Sequence, residues 1–389
     1  MLETIRIRGY KSFEKVDVTL DPINIFIGAN GAGKSNFVSL FVLLNRIIKR
    51  QLQTTVPTWG GANRILHYGR KVTDSIEFEL SFVEQHPSAG PGVANGYQCS
   101  LYPTDLDYLN LVEETVSFHN RAKYDRPWTF HIAGYPHPES RLTELIHSEQ
   151  SGDNGRGAQV ARHVMQKLEA WRVYHFHDTT PEARVKQWRS IFDNAGLQAD
   201  ASNLAAYLYR LHKTHPTYYE RIVATIRLAA PFFGDFTLRP NPLNPEIISL
   251  LWEEVGSDML FGPNDLSDGT LRFACLATLF LQPRELMPDT IILDEPELGL
   301  HPYAIGLLAD MIRSAAQQVQ VIVCTQSVTL LNHFTPEDVL VLDRARSGID
   351  PSRYVTTVGR LDSSHLGSWL EEYGVGDLWE KNVVGGRPQ

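Results

Sequence analysis

The sequence carries only three cysteines in 389 residues, Cys99, Cys275 and Cys324, widely separated and without C-x-x-C spacing. That excludes a thiolate zinc site and a disulfide framework, and it points to a reducing, cytoplasmic compartment. Long hydrophobic runs are missing as well. The longest largely apolar stretch, Phe273 to Leu281, is about half of what a membrane span needs. At the N-terminus Ile5, Arg6, Ile7 and Arg8 alternate in a strand pattern instead of forming an apolar signal-peptide core. No membrane partner is expected. A basic excess is also absent: 36 Lys+Arg stand against 45 Asp+Glu, a net charge of −9. This rules out a uniformly basic surface and leaves room only for a local basic groove. No heptad pattern persists, so no long coiled coil is expected, and no internal repeat is visible.

What is present is globular in composition: 43% hydrophobic and 21% charged, with 28 Gly and 22 Pro. The length suits two or three domains, or one large α/β domain with an insertion. Strands are expected at Thr4 to Arg8 and Val16 to Leu20 around a Lys11-Ser12 corner, and at Ile23 to Ile27. Phe37, Leu40, Phe41, Leu44 and Ile48 then recur at helical spacing, and Ile76 to Phe82 alternates as a half-buried strand. Residues 84 to 165, with Pro87, Gly90, Pro91, Gly92, Gly96 and a polar stretch from Ser148 to Gly157, predict mobile surface loops and short strands. From Pro181 to Ala230 the pattern is helical, with Leu204, Tyr207, Leu208 and Leu211 on one face and Tyr219, Ile222, Val223 and Ile226 on another. The last third alternates strand and helix.

Between the Ile23 to Ile27 strand and the first helix lies Gly28-Ala29-Asn30-Gly31-Ala32-Gly33-Lys34-Ser35, the phosphate-binding loop pattern in its proper context. Glycines let successive backbone N–H groups wrap an anion. Lys34 would bridge the β- and γ-phosphates and Ser35 would hold Mg2+. Ile291 to Leu293 is a second buried strand, ending in Asp294 and Glu295. Asp294 is placed to bind the Mg2+ directly or through water, and Glu295 to act as general base on the attacking water. Taken alone, such a pair also describes a solvated strand end. Ser267, in Leu266-Ser267-Asp268-Gly269-Thr270, is a good N-cap for the apolar helix that follows, and a helix start is also an anion site. The third buried strand, Val321 to Cys324, runs into Thr325, Gln326 and Ser327, where a γ-phosphate sensor or a plain polar strand end both fit. Two weaker features are the cations Arg46, Lys49, Arg50, Arg64, Arg70 and Lys71, a DNA-facing set or a solvated face. His175, His177 and Asp178 have an alternating spacing that suits a metal or a polar strand-end cluster.

Taken together, residues 1 to 50 and 245 to 345 resemble the ABC-type ATPase head of the RecF/SMC/OLD group. The loop through Asn36, the Lys11-Ser12-Phe13 corner, the run from Leu266 to Phe273, and Asp294-Glu295-Pro296-Glu297 through His301-Pro302 look most like bacterial RecF-like ATPases without a long coiled coil. The tail from Trp369 to Pro388 is similar to that subfamily too, and is expected to dock as a C-terminal segment. The resemblance implies an α/β P-loop ATPase head with a mixed-sheet core: residues 1–95 and 233–389 form the head, and 96–232 an inserted strand-plus-helical lobe. It implies ATP and Mg2+ as ligands, with Gly28 through Asn36 of one copy facing Ser267, Asp268 and Gly269 of a second. It implies catalysis by Glu295, Lys34 and Gln326, and a homodimer that closes on ATP and reopens on hydrolysis. DNA, in repair or anti-phage defence, is the implied partner; the alternative is a separately encoded effector such as a nuclease. No nuclease carboxylates accompany the head. Three positions depart from the wider pattern. Asp268 replaces a glycine and adds negative charge unless a cation such as Arg272 offsets it, Gln326 replaces a switch histidine, and His301 replaces a dimer-contacting Asp. Slow, partner-stimulated turnover is the expectation.

Overall fold

The computed structural model describes residues 1–83, 92–133, 135–147 and 153–386. They form two compact units, one of Met1–Trp171, Pro336–His365 and the residues from Asn382 on, the other of Arg172–Thr335 and Leu366–Lys381.

In the first unit Leu2–Tyr10 turns at Lys11, which sits at φ 47°, and returns antiparallel as Phe13–Thr19. Ile76–Val83 pairs on the other side of Leu2–Tyr10, and Val93–Pro103, Leu109–Asn120 and Trp128–Ala133 extend this antiparallel sheet to six strands. The loops and short strands expected between 84 and 165 are thus replaced, where described, by strands of 11 and 12 residues and an 18-residue helix, Asp153–Ala170. Pro87, Gly90, Pro91 and residues 148–152 lie outside the described residues. Two physical features hid the strands. A register shift between Ser100 and Leu101 breaks the alternation, and a carboxylate, Glu114, occupies a core position at 0% exposure. Glu114 is tolerated there because its oxygens accept from Tyr97 Oη (2.8 Å), Ser140 Oγ (2.5 Å) and the Arg141 amide (2.9 Å), which offsets its desolvation.

The unit's other strands are Ile23–Ile27, parallel to Val339–Arg346, which pairs antiparallel with Tyr354–Arg360. The helix Lys34–Ile48 buries the expected Phe37, Leu40, Phe41, Leu44 and Ile48. Phe41 meets Trp171 edge-on at 4.9 Å, and Asn45 Nδ2 donates to the carbonyls of Leu168 (2.8 Å), Glu169 and Trp171, satisfying the end of the Asp153–Ala170 helix.

In the second unit Arg172–Tyr174, Thr290–Asp294 and Gln320–Cys324 run parallel. Ile291, Ile292, Val321, Ile322 and Val323 are fully buried, which is why these strands read as unbroken apolar runs. The helices Leu204–Thr214 and Pro216–Ala229 bury the two faces expected of them, but 181 to 203 holds only a 3-10 turn, Arg184–Lys186, and a two-residue strand. The tail docks as expected: Asn332 Oδ1 accepts from the amides of Gly376 (2.7 Å) and Asp377 (3.2 Å). All three cysteines are buried and none is in a disulfide among the described residues, and no helix among those residues is long and apolar enough to cross a membrane.

His137, 1% exposed, reaches the same carboxylate: Nε2 lies 3.4 Å from Glu114 Oε2 while Nδ1 faces the Tyr135 carbonyl at 2.9 Å. The hydrogen bond to Glu114 raises the His137 pKa above its ordinary 6.5. A raised pKa gives stability that is complete below 6.5 and is lost as pH rises through the folded-state value. In urea titrations His137→Gln should therefore cost about 2 kcal/mol in acid and progressively less at alkaline pH; a difference that does not change with pH would contradict this.

Candidate functional site

The strand Ile23–Ile27 delivers the chain into a loop with an unusually demanding backbone. Gly31 and Gly33 sit at φ 80° and 121°, which favours glycine, and the helix that follows has no side-chain cap. Its first-turn N–H groups are therefore available to an anion. The loop is held from outside: Thr356 Oγ1 donates to Ala32 O at 2.7 Å, and a Cβ on Gly33 would come within 2.6 Å of that oxygen. Lys34, 6% exposed, folds its ammonium onto the carbonyls of Gly28 (2.5 Å) and Ala29 (3.3 Å). Asn30, Gly31 and Ser35 are exposed, and Asn36 Nδ2 donates to Ser12 Oγ at 2.9 Å.

That last bond borders a cavity of 580 Å3 in the same unit, lined among others by Lys11, Ser12, Asn36, Trp59, Tyr68 and Tyr354. Lys11 Nζ stands 4.6 Å over the Trp59 ring and 2.7 Å from Ser39 Oγ, and burial pushes its pKa down to about 8. Aromatic faces beside a cation suit a base and sugar next to the phosphates.

In the second unit, Thr290–Asp294 ends at Glu295, whose backbone is left-handed at φ 44° and whose amide donates to Cys324 O at 2.7 Å. Holding a non-glycine residue there costs about 1–3 kcal/mol, a strain concentrated at functional sites. Glu295 Oε1 accepts from Gln326 Nε2 at 2.5 Å, so the two residues expected to share the chemistry are in contact. Asp294 lies beside them in sequence, its carboxylate 20% exposed, with His175 Nδ1 4.0 Å from Oδ2 and His177 Nε2 donating to its carbonyl at 2.8 Å. Glu297 accepts from Thr325 Oγ1 at 2.5 Å; its other oxygen is buried without a partner, and burial raises its pKa. Asp178 instead accepts from the amide and hydroxyl of Thr180, and no group of three or more potential metal ligands from His, Cys, Asp and Glu occurs among the described residues.

Ser267 caps the helix Asp268–Leu281 as expected, accepting from the Thr270 amide at 3.2 Å. Arg272 does not offset Asp268. It donates to the carbonyls of Phe176 (3.1 Å), His177 (2.9 Å) and Leu298 (3.0 Å) and to Thr179 Oγ1, and so acts as a clamp on backbone. His301 caps the next helix through Nδ1, 3.2 Å from the Tyr303 amide.

A family model described as "AAA domain, putative AbiEii toxin, Type IV TA system" matches residues 23–332, most of the chain. The chain belongs to this AAA-domain family. Its fold is also that of Smc heads. An Smc head bound to the C-terminal winged-helix domain of ScpA is 15% identical over 93% of this chain and 98% of that one, with a TM-score of 0.57. An Smc head with an extended coiled coil, bound to the C-terminal domain of ScpA derived from Pyrococcus furiosus, is 14% identical over 95% and 98%, with a TM-score of 0.51. No curated protein sequence matches significantly. The mixed α/β P-loop fold expected from the loop and strand motifs is therefore the fold of this family member.

Three contributors had no sequence signal. Thr356 lies in an ordinary strand, 324 residues from Ala32. Lys186 sits in a turn inside a stretch read as helical, yet its ammonium is 4.0 Å from Asp268 Oδ1. The carbonyl clamp of Arg272 joins segments 95 and 26 residues away. Of the basic residues, Arg46 donates to Gln51 Oε1 at 2.5 Å and Arg70 lies 3.8 Å from Asp105, both local pairings.

Thr356→Val removes the Thr356 Oγ1 bond to Ala32 O and keeps the shape. A net hydrogen bond of about 1 kcal/mol sets the expected loss, roughly a fivefold weaker ATP affinity, measurable by calorimetry; unchanged affinity would show the loop holds itself.

Proposed function

We propose that this AAA-family chain is an ATP-hydrolysing switch that pairs with a second copy around ATP and acts on DNA or on a DNA-directed partner, in repair or anti-phage defence. The observation that carries the reading is the phosphate loop itself, with the Lys34 ammonium resting on two loop carbonyls, where the oxygens of a triphosphate would replace them. Loop amides and Lys34 bind the phosphates. The Ser35 hydroxyl and the Asp294 carboxylate, each a hard oxygen ligand and neither fully buried, are of the kind Mg2+ takes. Bound there, the ion would neutralise charge on the phosphates.

Glu295 takes the proton of a water whose oxygen attacks the γ-phosphorus, the bond to the β,γ-bridging oxygen breaks, and ADP leaves. Gln326, already bonded to Glu295, orients that carboxylate and cannot itself carry charge. Ser267, Asp268 and Gly269 of the second copy meet the γ-phosphate, so hydrolysis removes the contact that closes the pair.

A second reading is supported by the net charge of −9, the local pairing of Arg46 and Arg70, and the ScpA domains bound to the two Smc heads. In it the ATPase holds and releases a separately encoded effector without touching DNA. Duplex binding with ATP that weakens steeply as salt rises supports the DNA reading, because each phosphate contact releases counterions. Salt-insensitive or absent binding favours the effector.

The reading of the site is tested with two variants. Glu295→Gln should bind ATP, lose about 100-fold or more of turnover and accumulate as a dimer in sedimentation runs, whereas Lys34→Ala should neither bind nor dimerise. A Glu295→Gln protein with parental turnover removes the base from the mechanism.

A further inference from the structure

We propose that Lys186 is the cation that lets the Asp268–Leu281 helix accept the γ-phosphate held by a second copy, by cancelling the charge of Asp268 and adding its own donor to the site. The inference rests on the ATP-dependent pairing proposed above and assigns a residue to it.

Asp268 stands at the first position of that helix with its side chain 61% exposed, so an approaching triphosphate would meet a carboxylate at the helix's N-terminal end. In a half-exposed site two like charges about 4 Å apart repel by several kcal/mol at an effective dielectric of about 20. A cation is required, and Arg272, the nearest by sequence, is occupied by three carbonyls and a hydroxyl.

Lys186 reaches the place from another segment. Its backbone is fixed in a 3-10 turn by its own amide, which donates to Ala183 O at 2.9 Å, with Ala183 and Val185 buried beneath it. Arg184, on the same turn, is tied to Asp200 at 3.0 Å. The Lys186 side chain is 5% exposed, and its only ion pair among the described residues is with Asp268 Oδ1 at 4.0 Å, beyond hydrogen-bonding distance.

Beside Asp268 this ammonium keeps N–H donors that an incoming anion could take. The surroundings suit a phosphate. The Ser267 and Thr270 hydroxyls, 2.8 Å apart, lie in the same turn. Gly269 lets the Gly299 carbonyl pack against the start of the helix, since a Cβ there would meet Gly299 O at 2.6 Å. With Asp268 and Lys186 cancelling, hydroxyls and helix amides of one sign face the ligand.

The test compares variants in the Glu295→Gln background at saturating ATP and Mg2+, reading the protein concentration at half-dimerisation. Lys186→Met should raise it about tenfold, the loss of one charge-assisted contact. Lys186→Arg should stay near the parent. Adding Asp268→Gly to Lys186→Met should recover most of the loss, and Asp268→Gly alone should dimerise at least as well as the parent. A purely structural lysine would not be rescued by removing a carboxylate, so failure of that rescue overturns the proposal, as does a Lys186→Met protein that dimerises like the parent. If Lys186→Met does not fold, a weaker dimer in Asp268→Gly alone overturns it equally. A Glu295→Gln parent that binds ATP and stays monomeric rejects the pairing itself, a separate outcome.

Discussion

Thr356 donates its hydroxyl to Ala32 O while its side chain occupies the space a Cβ on Gly33 would need, and on this contact the phosphate loop depends. Within the loop the Ala32 amide donates to Ala29 O at 3.0 Å, and neighbours hold the rest of its shape. The Val339–Arg346 strand supplies part of that frame by pairing parallel with Ile23–Ile27 and placing Leu342 O where only a glycine at position 28 fits. The Lys34 ammonium supplies the rest, held on the carbonyls of Gly28 and Ala29. The glycines of the motif thus answer to particular neighbours.

The second unit solves a different problem, that of gathering polar groups at the ends of apolar parallel strands. The left-handed turn at Glu295 sets its carboxylate against Gln326, one residue past the partner strand's Thr325, and Thr325 in turn holds Glu297. Arg272 fixes the neighbouring backbone by filling carbonyl acceptors, which spends its charge on architecture. At the helix start after Ser267 it is Lys186 whose ammonium lies 4.0 Å from Asp268 Oδ1. Charge at this site is allocated by reach, and a long flexible ammonium can come from a turn that sequence spacing would never associate with it.

Arg6 with Glu79, Arg8 with Asp17 and Arg121 with Glu3 pair across the face of the antiparallel sheet. Such pairs contribute little stability.

The sequence alone determined the phosphate loop, the two buried strands that end in Asp294-Glu295 and Gln326, the capped helix at Ser267 and the α/β class. Each of these is written in contiguous residues: glycine spacing, an unbroken apolar run, a hydroxyl before a helix. It misread Val93–Pro103 and Leu109–Asn120, because a register shift and a buried Glu114 break the period that betrays a strand. Only the tertiary structure decided what Arg272, Lys186 and Thr356 do. Their partners lie tens to hundreds of residues away, and whether a cation sits beside a carboxylate or clamps a carbonyl is settled by which acceptors the fold brings within its reach.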